Sequence, residues 1–419
     1  MLYNNLNNMD IKQFITPKRF DLMAKLLYIK AKFKNINTDF FKKLYESHLI
    51  TFNNCYEDNG KKNKIDDFLK SFDILIETIV TNGYDEKYPI PIYNKNIING
   101  AHRLMISYFY NIKPSIYETK INENTEYNYI FFLNRKQYPS LDRIYADAMA
   151  LEYIRHNSNI RVMILHPVAY NPEKIIHLFN IIKQYGYIYY EKRVGLFSIG
   201  VNNMIKELYR GEEWNGGMFP SNNYKNCGKT IRCISAHNYP TTIILIDMKD
   251  TTKCIELKEK CRSIFGIGKH SLHMSDFVED TFRISASLLN ENSIDFLNRG
   301  TNNFSNKSKS LLLNYFGNVV NEKEDYCLTS SIILEMYGLR EAKDIDYLHK
   351  EDKKIDMINI SLHDGKWLTY YHVHKDEIIY NPKYHFYFNG FKFASLDVIK
   401  KMKQNRAEPK DIQDIKLIG

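Results

Sequence analysis

The segment between residues 160 and 300 constrains the fold most, because strand-like runs alternate there with amphipathic helices. Ile160–Leu165 is a short, mostly apolar run that predicts a buried strand. It leads to a predicted helix over Pro172–Tyr185, where apolar residues recur at helical spacing. Further strands are predicted at 187–196, at 241–247 and around His273, with helices at 201–209, 251–262 and 276–290. This is the split βαβ order of an α+β domain.

Length, charge and cysteine usage narrow the class of protein. A chain of 419 residues is long enough for about three domains, so we expect a multidomain α+β protein. The net charge of +9 is spread along the chain, which suits phosphorylated ligands and makes nucleic acid an unexpected partner. No apolar run approaches the roughly 20 residues of a membrane span. The six cysteines show no metal-binding spacing, so we expect free thiols and a cytoplasmic location.

A dense motif begins at the end of the helix predicted at 251–262. Its residues are, in order, Arg262, Phe265-Gly266, Gly268-Lys269 and His273-Met274-Ser275-Asp276. This run resembles the active site of nucleoside diphosphate kinases, which implies a ferredoxin-like domain over 160–300. The resemblance also implies that His273 accepts a phosphoryl group and that Arg262, Lys269 and His270 contact phosphates. An imidazole is nucleophilic at neutral pH without further activation, which suits that chemistry.

Three positions depart from the kinase pattern. His270 stands where the family has Asn, Ile284 stands where a Glu orients the catalytic imidazole, and His166 replaces a lysine after the first strand. Without that Glu, the tautomer of His273 is not fixed. The alternative interpretation is a strand edge carrying two histidines, followed by a helix with an acidic first turn. The chain would then be a degenerate nucleotide-sensing or scaffold protein.

The C-terminal segment carries a second motif, Ser330-Ser331 followed by a helix and then Asp344-Ile345-Asp346. Carboxylates at i and i+2 of a strand point to the same side and can jointly hold Mg²⁺. The motif resembles DNA polymerase β-type nucleotidyltransferases, which implies catalytic, metal-binding roles for Asp344 and Asp346 and a phosphate contact for Ser331. The third carboxylate of that family is left open between Asp356 and Glu377. The apolar runs 378–380 and 386–388 predict strands of the sheet core.

A third motif lies in the N-terminal third, where Pro89-Ile90-Pro91-Ile92 precedes Asn99-Gly100-Ala101-His102-Arg103. A glycine turn that opens a helix, with basic side chains beside it, suits a phosphate group. The segment resembles the ParB/sulfiredoxin fold, which implies that Gly100, His102 and Arg103 bind ATP or CTP. Glu77 and Asp85 are the nearest candidate bases. Helices are predicted before this segment, at 11–33 and 39–52.

These motifs predict the domains 1–155, 160–300 and 311–419, with a polar linker at 301–310. Three modules that each suit phosphate groups indicate an enzyme. The leading hypothesis is a phosphoryl or nucleotidyl transferase that uses Mg²⁺ and a nucleoside triphosphate, ATP or CTP, on a small metabolite such as a surface-glycan precursor. ParB-like DNA binding is the weaker alternative, because no helix-turn-helix follows Arg103. A homo-oligomer is left open.

Overall fold

The structure is a computed structural model that describes residues 10–56, 62–120, 126–220 and 228–419. Its contacts divide the chain into two compact units, Met1–His156 and Asn157–Gly419. Each unit combines helices with small sheets, so the chain is a multidomain protein of mixed α/β class. Of the six cysteines, Cys227 lies outside the described residues. The other five are buried and form no disulfide among the described residues: Cys55, Cys233, Cys254, Cys261 and Cys327.

The first unit is mainly helical and contains one three-stranded sheet. Its helices are α1 (Leu22–Phe33), α2 (Phe40–Asn53), α3 (Ile65–Asn82), α4 (Ala101–Tyr110), α5 (Tyr129–Leu133) and α6 (Arg143–His156). Its strands are β1 (Ile90–Tyr93), β2 (Asn96–Ile97) and β3 (Ile116–Glu118), in the order β2-β1-β3. Asn94 and Lys95 both have positive φ, as a two-residue hairpin turn between β1 and β2 requires. Strand β3 runs parallel to β1.

The second unit begins with a four-stranded sheet. Its strands are β4 (Ile160–Leu165), β5 (Gly186–Val194), β6 (Thr241–Met248) and β7 (Leu272–Met274), in the order β5-β6-β4-β7 with every neighbour antiparallel. The helices of this part are α7 (Pro172–Tyr185), α8 (Ser198–Leu208), α9 (Gly228–Cys233), α10 (Cys254–Phe265), α11 (Val278–Leu288) and α12 (Glu291–Arg299). Helices lie between each pair of consecutive strands from β4 to β7, so strands and helices alternate as the sequence predicts.

One face of this sheet is covered by α7 and α10. Alternate residues of the strands, such as Met163 and Leu165 of β4 and Leu272 and Met274 of β7, pack against both helices in one core. Side chains alternate between the faces of a strand, so His273 belongs to the opposite face. Proline at the start of α7 fits its first turn, where no hydrogen bond is lost.

The second unit continues with a five-stranded sheet. Its strands are β8 (Tyr326–Thr329), β9 (Ile345–His349), β10 (Ile360–Leu362), β11 (His385–Phe388) and β12 (Phe391–Ala394), in the order β10-β9-β8-β12-β11. Its helices are α13 (Asn306–Val319), α14 (Ser331–Met336), α15 (Lys375–Tyr380), α16 (Leu396–Arg406) and α17 (Pro409–Ile418). Glu207 of α8 accepts a hydrogen bond of 2.8 Å from the backbone N–H of Asn389, so α8 and the turn between β11 and β12 share a buried contact.

Several local predictions differ from the structure. The single helix expected at 11–33 is divided in the structure into a short 3-10 turn, Ile11–Phe14, and helix α1, which begins at Leu22. The strand predicted at 378–380 is wrong, because these residues end helix α15, whose first turn is capped by the side chain of His374. Ile378 and Ile379 are buried there, and burial alone gives a short apolar run no preference between strand and helix. The other predicted strand of that pair, 386–388, is confirmed as part of β11.

The segment 301–310, predicted as a polar linker, contains the first turn of α13. Ser305 caps that helix, and the hydroxyl of Ser308 donates a hydrogen bond of 2.6 Å to Glu335 of α14. Glu335 is buried and also accepts from the backbone N–H of Ser305. Ser305 and Ser308 therefore supply hydrogen bonds to the buried carboxylate of Glu335, so this part of the segment packs against α14 and is not a linker.

Candidate active site

The turn between β8 and α14 is built on two serines. Ser330 has φ +63°, a conformation that side-chain-bearing residues rarely adopt. Ser331 then opens α14 and donates a hydrogen bond of 3.3 Å to Oδ1 of Asp344, directly before β9. Asp346 follows two residues later on β9, so both carboxylates belong to the same side of the strand. The strained turn thus lies against a pair of acids.

These residues line a cleft of about 570 Å³. Its walls come from the β8–α14 turn, from β9 and β10, from the 3-10 turn Gly365–Tyr370, and from α16 and α17. They include the predicted Ser331, Asp344 and Asp346 together with Ser330, Arg340, Lys343, His363, Trp367, Lys403, Arg406, Lys410 and Asp414. The cleft is therefore the place where the structure brings predicted site residues together.

Asp346 is held as an anion. Burial by itself would raise the pKa of this carboxyl, but hydrogen bonds from His363 and Ser330 and the charge of Arg406 outweigh burial and lower the pKa. His363 Nε2 lies 3.4 Å from Oδ2 of Asp346. A carboxylate that stays ionised and has an oxygen facing a cleft is a suitable ligand for a hard cation such as Mg²⁺.

Neither candidate for a third carboxylate lines this cleft. Asp356 is exposed in the segment before β10, and Glu377 lies on α15, where it accepts a hydrogen bond from Asn381. On β10, the strand beside β9, Ser361 lies opposite Asp346. His363 is two residues further along that chain and occupies the neighbouring place on the same side. A histidine, not an acid, therefore stands beside the aspartate pair.

The opposite wall of the cleft is a network of cations held by two buried aspartates of α17. Asp411 accepts two hydrogen bonds from Arg406, and Asp414 accepts two from Arg340. Lys403 lies between them, within 3.1 Å of Asp411 and 2.6 Å of Asp414. Two-point Arg–carboxylate contacts fix the guanidinium planes. Arg340 is close enough to Asp344, and Arg406 to Asp346, for their charges to interact.

The His273 region forms a separate group in the second unit. Tyr209 packs edge-on against His273, with the ring centroids 4.9 Å apart. Burial, and next the neighbouring His166, lower the pKa of His273 well below its usual value, so the imidazole is neutral. His166 is fully buried, and neither of its ring nitrogens has a hydrogen-bond partner among the described residues. Ile284 is buried and supplies no group to orient His273.

The predicted phosphate contacts around His273 have other partners in the structure. Arg262 donates to Glu259 at 2.7 Å and to the carbonyl of Leu272 at 3.4 Å. Lys269 is exposed, and its backbone carbonyl accepts from Lys229 of α9. His270 Nε2 lies 3.5 Å from Arg232, and desolvation together with the charges of Lys229 and Arg232 lowers its pKa. The group is therefore basic, with α9 adding cations that the motif did not include.

In the first unit, the three predicted phosphate-binding residues are engaged in the fold. Gly100 caps α4 with φ +85°, a backbone conformation that glycine adopts readily and other residues rarely do. His102 is half-buried and shares a 2.8 Å hydrogen bond with the hydroxyl of Tyr45. Arg103 donates to the carbonyl of Tyr88 and lies 3.4 Å from the hydroxyl of Tyr84. The candidate bases Glu77 and Asp85 are both exposed.

The carboxylates of the cleft limit which metal ion it could hold. In the described residues, no group of three or more His, Cys, Asp or Glu side chains could hold a metal ion. Mg²⁺ commonly binds through one or two carboxylates, with water and substrate phosphates completing the octahedron. Asp344 and Asp346 are two carboxylates beside an open cleft, so they fit Mg²⁺ that is shared with a phosphorylated ligand.

The comparisons with known proteins give no family. No protein-family model matches the chain, and neither the curated proteins nor the solved structures contain a significant match. None of the helices in the described residues is sufficiently long and apolar to span a membrane.

Sequence reasoning missed several residues of the cleft. His363 could not be found, because the pairing of β9 with β10 cannot be read from the sequence. The cation wall did leave a signal: Asp411 and Asp414 are three residues apart on one helix, and Lys403 and Arg406 have the same spacing on the helix before it. Residues three apart share a helix face, so the spacing of these four charges could have indicated a helix–helix ion-pair network, which was not predicted.

Proposed function

We propose that the chain is a nucleotide-dependent transferase whose reaction takes place in the cleft between β9 and α17. The observation that carries the proposal is that Asp344 and Asp346 line one cleft with the Ser330-Ser331 turn and an aspartate-held pair of arginines. The finer fold assignment, a DNA polymerase β-type nucleotidyltransferase domain, rests on the same residues. The donor would be a nucleoside triphosphate, ATP or CTP, with a small metabolite as acceptor.

Five residues of the cleft have a defined part in this proposal. Asp344 and Asp346 hold the cation, and Ser331 keeps Asp344 in place through its hydrogen bond. Bound Mg²⁺ would polarise a phosphoryl oxygen as a Lewis acid and offset charge on the leaving pyrophosphate. Arg340 and Arg406 already have fixed planes, so they can offset phosphate charge with little reorganisation. The acceptor hydroxyl would attack the α-phosphorus, and the bond to pyrophosphate would break.

The test is pyrophosphate release by the full chain, with Mg²⁺ and each of the four nucleoside triphosphates. Asp344→Asn and Asp346→Asn are expected to lower the rate by at least about 100-fold, because even indirect partners of a metal commonly change activity 10–100-fold. The matched control is Asp356→Asn, which removes an exposed carboxylate outside the cleft. Equal rates in all four proteins would refute the proposal.

The His273 region supports a second phosphoryl step in the same enzyme, as the kinase resemblance implies. A neutral, half-buried imidazole beside basic groups could accept the γ-phosphoryl group of ATP, with ADP leaving. The experiment is intact-protein mass after incubation with ATP and Mg²⁺. An acid-labile addition of one phosphoryl group that His273→Ala abolishes would support the step. If no addition forms, this region does not perform it.

Two observations favour a second candidate function, nucleotide sensing without turnover. His363 stands beside the acid pair where no third carboxylate lines the cleft, and Ile284 leaves His273 without an orienting acid. Thermal stabilisation by ATP or CTP with Mg²⁺, without release of pyrophosphate or ADP, would identify this function. Five buried cysteines without a disulfide among the described residues support a reducing location such as the cytoplasm for either candidate.

A further inference from the structure

His363 is the end of a chain of buried polar side chains that leads to Asp346. Its Nδ1 lies 2.7 Å from the hydroxyl of Tyr371, and that hydroxyl lies 2.9 Å from the hydroxyl of Thr329 at the end of β8. His363, Tyr371 and Thr329 are all buried, with exposed fractions of 4%, 7% and 0%. On its other side, Nε2 of His363 meets Oδ2 of Asp346 at 3.4 Å.

The direction of this chain follows from the donors available. An ionised carboxylate only accepts hydrogen bonds, so the nitrogen that faces Asp346 must carry a proton. If the ring is neutral, Nδ1 is then the acceptor, Tyr371 donates to it, and Thr329 donates to Tyr371. If the ring is charged, the last two bonds reverse and Nε2 still carries its proton. In both states, His363 directs an N–H at Asp346 and offers it no lone pair.

This arrangement has two consequences for a cation in the cleft. A nitrogen that carries a proton cannot coordinate a metal, so His363 is not a ligand while it bonds to Asp346. Oδ2 of Asp346 faces that N–H, and Ser330 also donates to this carboxylate, so few of its lone pairs remain for metals. Two-metal sites instead place their ions about 3.5–4 Å apart between shared anionic ligands. Arg406, whose charge already acts on Asp346, further opposes a second cation.

We propose that His363 is a positioning residue that orients Asp346 and limits its free lone pairs, and that the cleft consequently binds one divalent cation. The proposal rests on the proposed function in assigning Asp344 and Asp346 as metal ligands. Neither His363 nor the number of bound metal ions follows from the Ser330-Ser331 and Asp344-Ile345-Asp346 motifs. The proposal also explains why a histidine can replace a third acid: the chain Thr329–Tyr371–His363 orients the carboxylate that remains.

The test counts bound Mn²⁺, a paramagnetic substitute for Mg²⁺, on the full chain by electron paramagnetic resonance. Sites elsewhere are subtracted with the Asp344→Asn/Asp346→Asn double variant. The wild type is expected to bind one Mn²⁺ in the cleft. His363→Ala should weaken that site about 10-fold, within the range for groups that orient a metal ligand. His363→Gln, whose amide can donate to Asp346 and accept from Tyr371, should restore most of the affinity.

A further variant, His363→Asp, adds an acid in place of the donor. We expect it to bind Mn²⁺ more tightly than the wild type or to bind a second ion. Two cleft ions in the wild type, or unchanged Mn²⁺ affinity in His363→Ala, would overturn the inference even if the enzyme turns over. One Mn²⁺ with no product from any triphosphate would support the inference and refute the transferase. Equal Mn²⁺ binding by wild type and the double variant would refute both.

Discussion

The ammonium group of Lys403 lies 2.6 Å from Oδ2 of Asp414, and both side chains are at most 2% exposed. Lys403 also contacts Asp411, so one buried cation joins the two acids of α17. Each acid in turn binds one arginine of the cleft wall. The pair therefore connects the stability of the last two helices to the position of the guanidinium groups over Asp344 and Asp346.

The first prediction concerns the removal of this cation. Lys403→Met leaves two buried aspartates with one arginine each, and breaking a buried pair costs about 3–5 kcal/mol. The expected result is a loss of that size in the unfolding free energy of the second unit, measured by denaturant titration. Lys401→Met is the control, since Lys401 forms an exposed pair with Asp397 and should change stability by less than about 1 kcal/mol. A similar effect of both substitutions would contradict the network.

The second prediction is a loss of stability in acid. Burial would raise the pKa of Asp411, but hydrogen bonds from Arg406 and Lys403 prevail and lower it from 3.8 to about 2. Because the folded pKa lies below the unfolded one, the stabilisation is complete above 3.8 and is lost as the pH falls toward 2.

Unfolding free energy measured against pH, for wild type and Asp411→Asn, checks this prediction. The variant should be less stable at neutral pH and should lose less stability between pH 4 and about 2 than the wild type. Asp397→Asn removes an exposed acid of α16 and should retain the wild-type slope. A wild-type slope in Asp411→Asn would show that Asp411 does not carry this acid sensitivity.

The third prediction concerns the strained turn. Ser330→Gly relieves a positive φ that costs of order 1–3 kcal/mol for a side-chain-bearing residue. It also removes a hydrogen bond to Asp346 worth about 1 kcal/mol. We expect a net gain of up to about 1 kcal/mol in unfolding free energy. Ser331→Gly, which removes the hydrogen bond to Asp344, should instead lose about 0.5–1.5 kcal/mol. A destabilised Ser330→Gly would show that the hydrogen bond outweighs the strain.

Helices with a clear apolar spacing were predicted well from the sequence, whereas contacts between residues distant in the chain were not. Helix α7 begins and ends where its apolar spacing and Pro172 predict, because such signals are local. The strand predicted at 378–380 is wrong. Ile378 and Ile379 are buried, but a run this short shows no periodicity that would distinguish a strand from a helix. Asp344 and Asp346 were correctly placed on the same face of the sheet, because side chains two residues apart on a strand point the same way. His363 reaches Asp346 only through the pairing of β9 with β10, which depends on contacts distant in the sequence.

The last prediction concerns His166, the buried imidazole near His273. Burial is the main cause that lowers its pKa to about 3, and the charge of Lys229 contributes. The unfolded chain takes up a proton near pH 6.5, whereas the folded chain does so near 3. The unfolded state therefore binds more protons between these values, so stability falls as the pH is lowered from 6.5 toward 3.

His166→Leu should remove this contribution, and it also replaces two ring nitrogens that lack partners among the described residues. Exchange of an unpartnered polar group for an apolar one of similar size can be neutral or stabilising. Unfolding free energies of wild type, His166→Leu and His237→Leu, measured from pH 7 to about 4, test the idea. His237 is exposed, so its variant should keep the wild-type slope. If His166→Leu keeps that slope as well, His166 gains its proton in the folded protein, and the region around His273 is open to water.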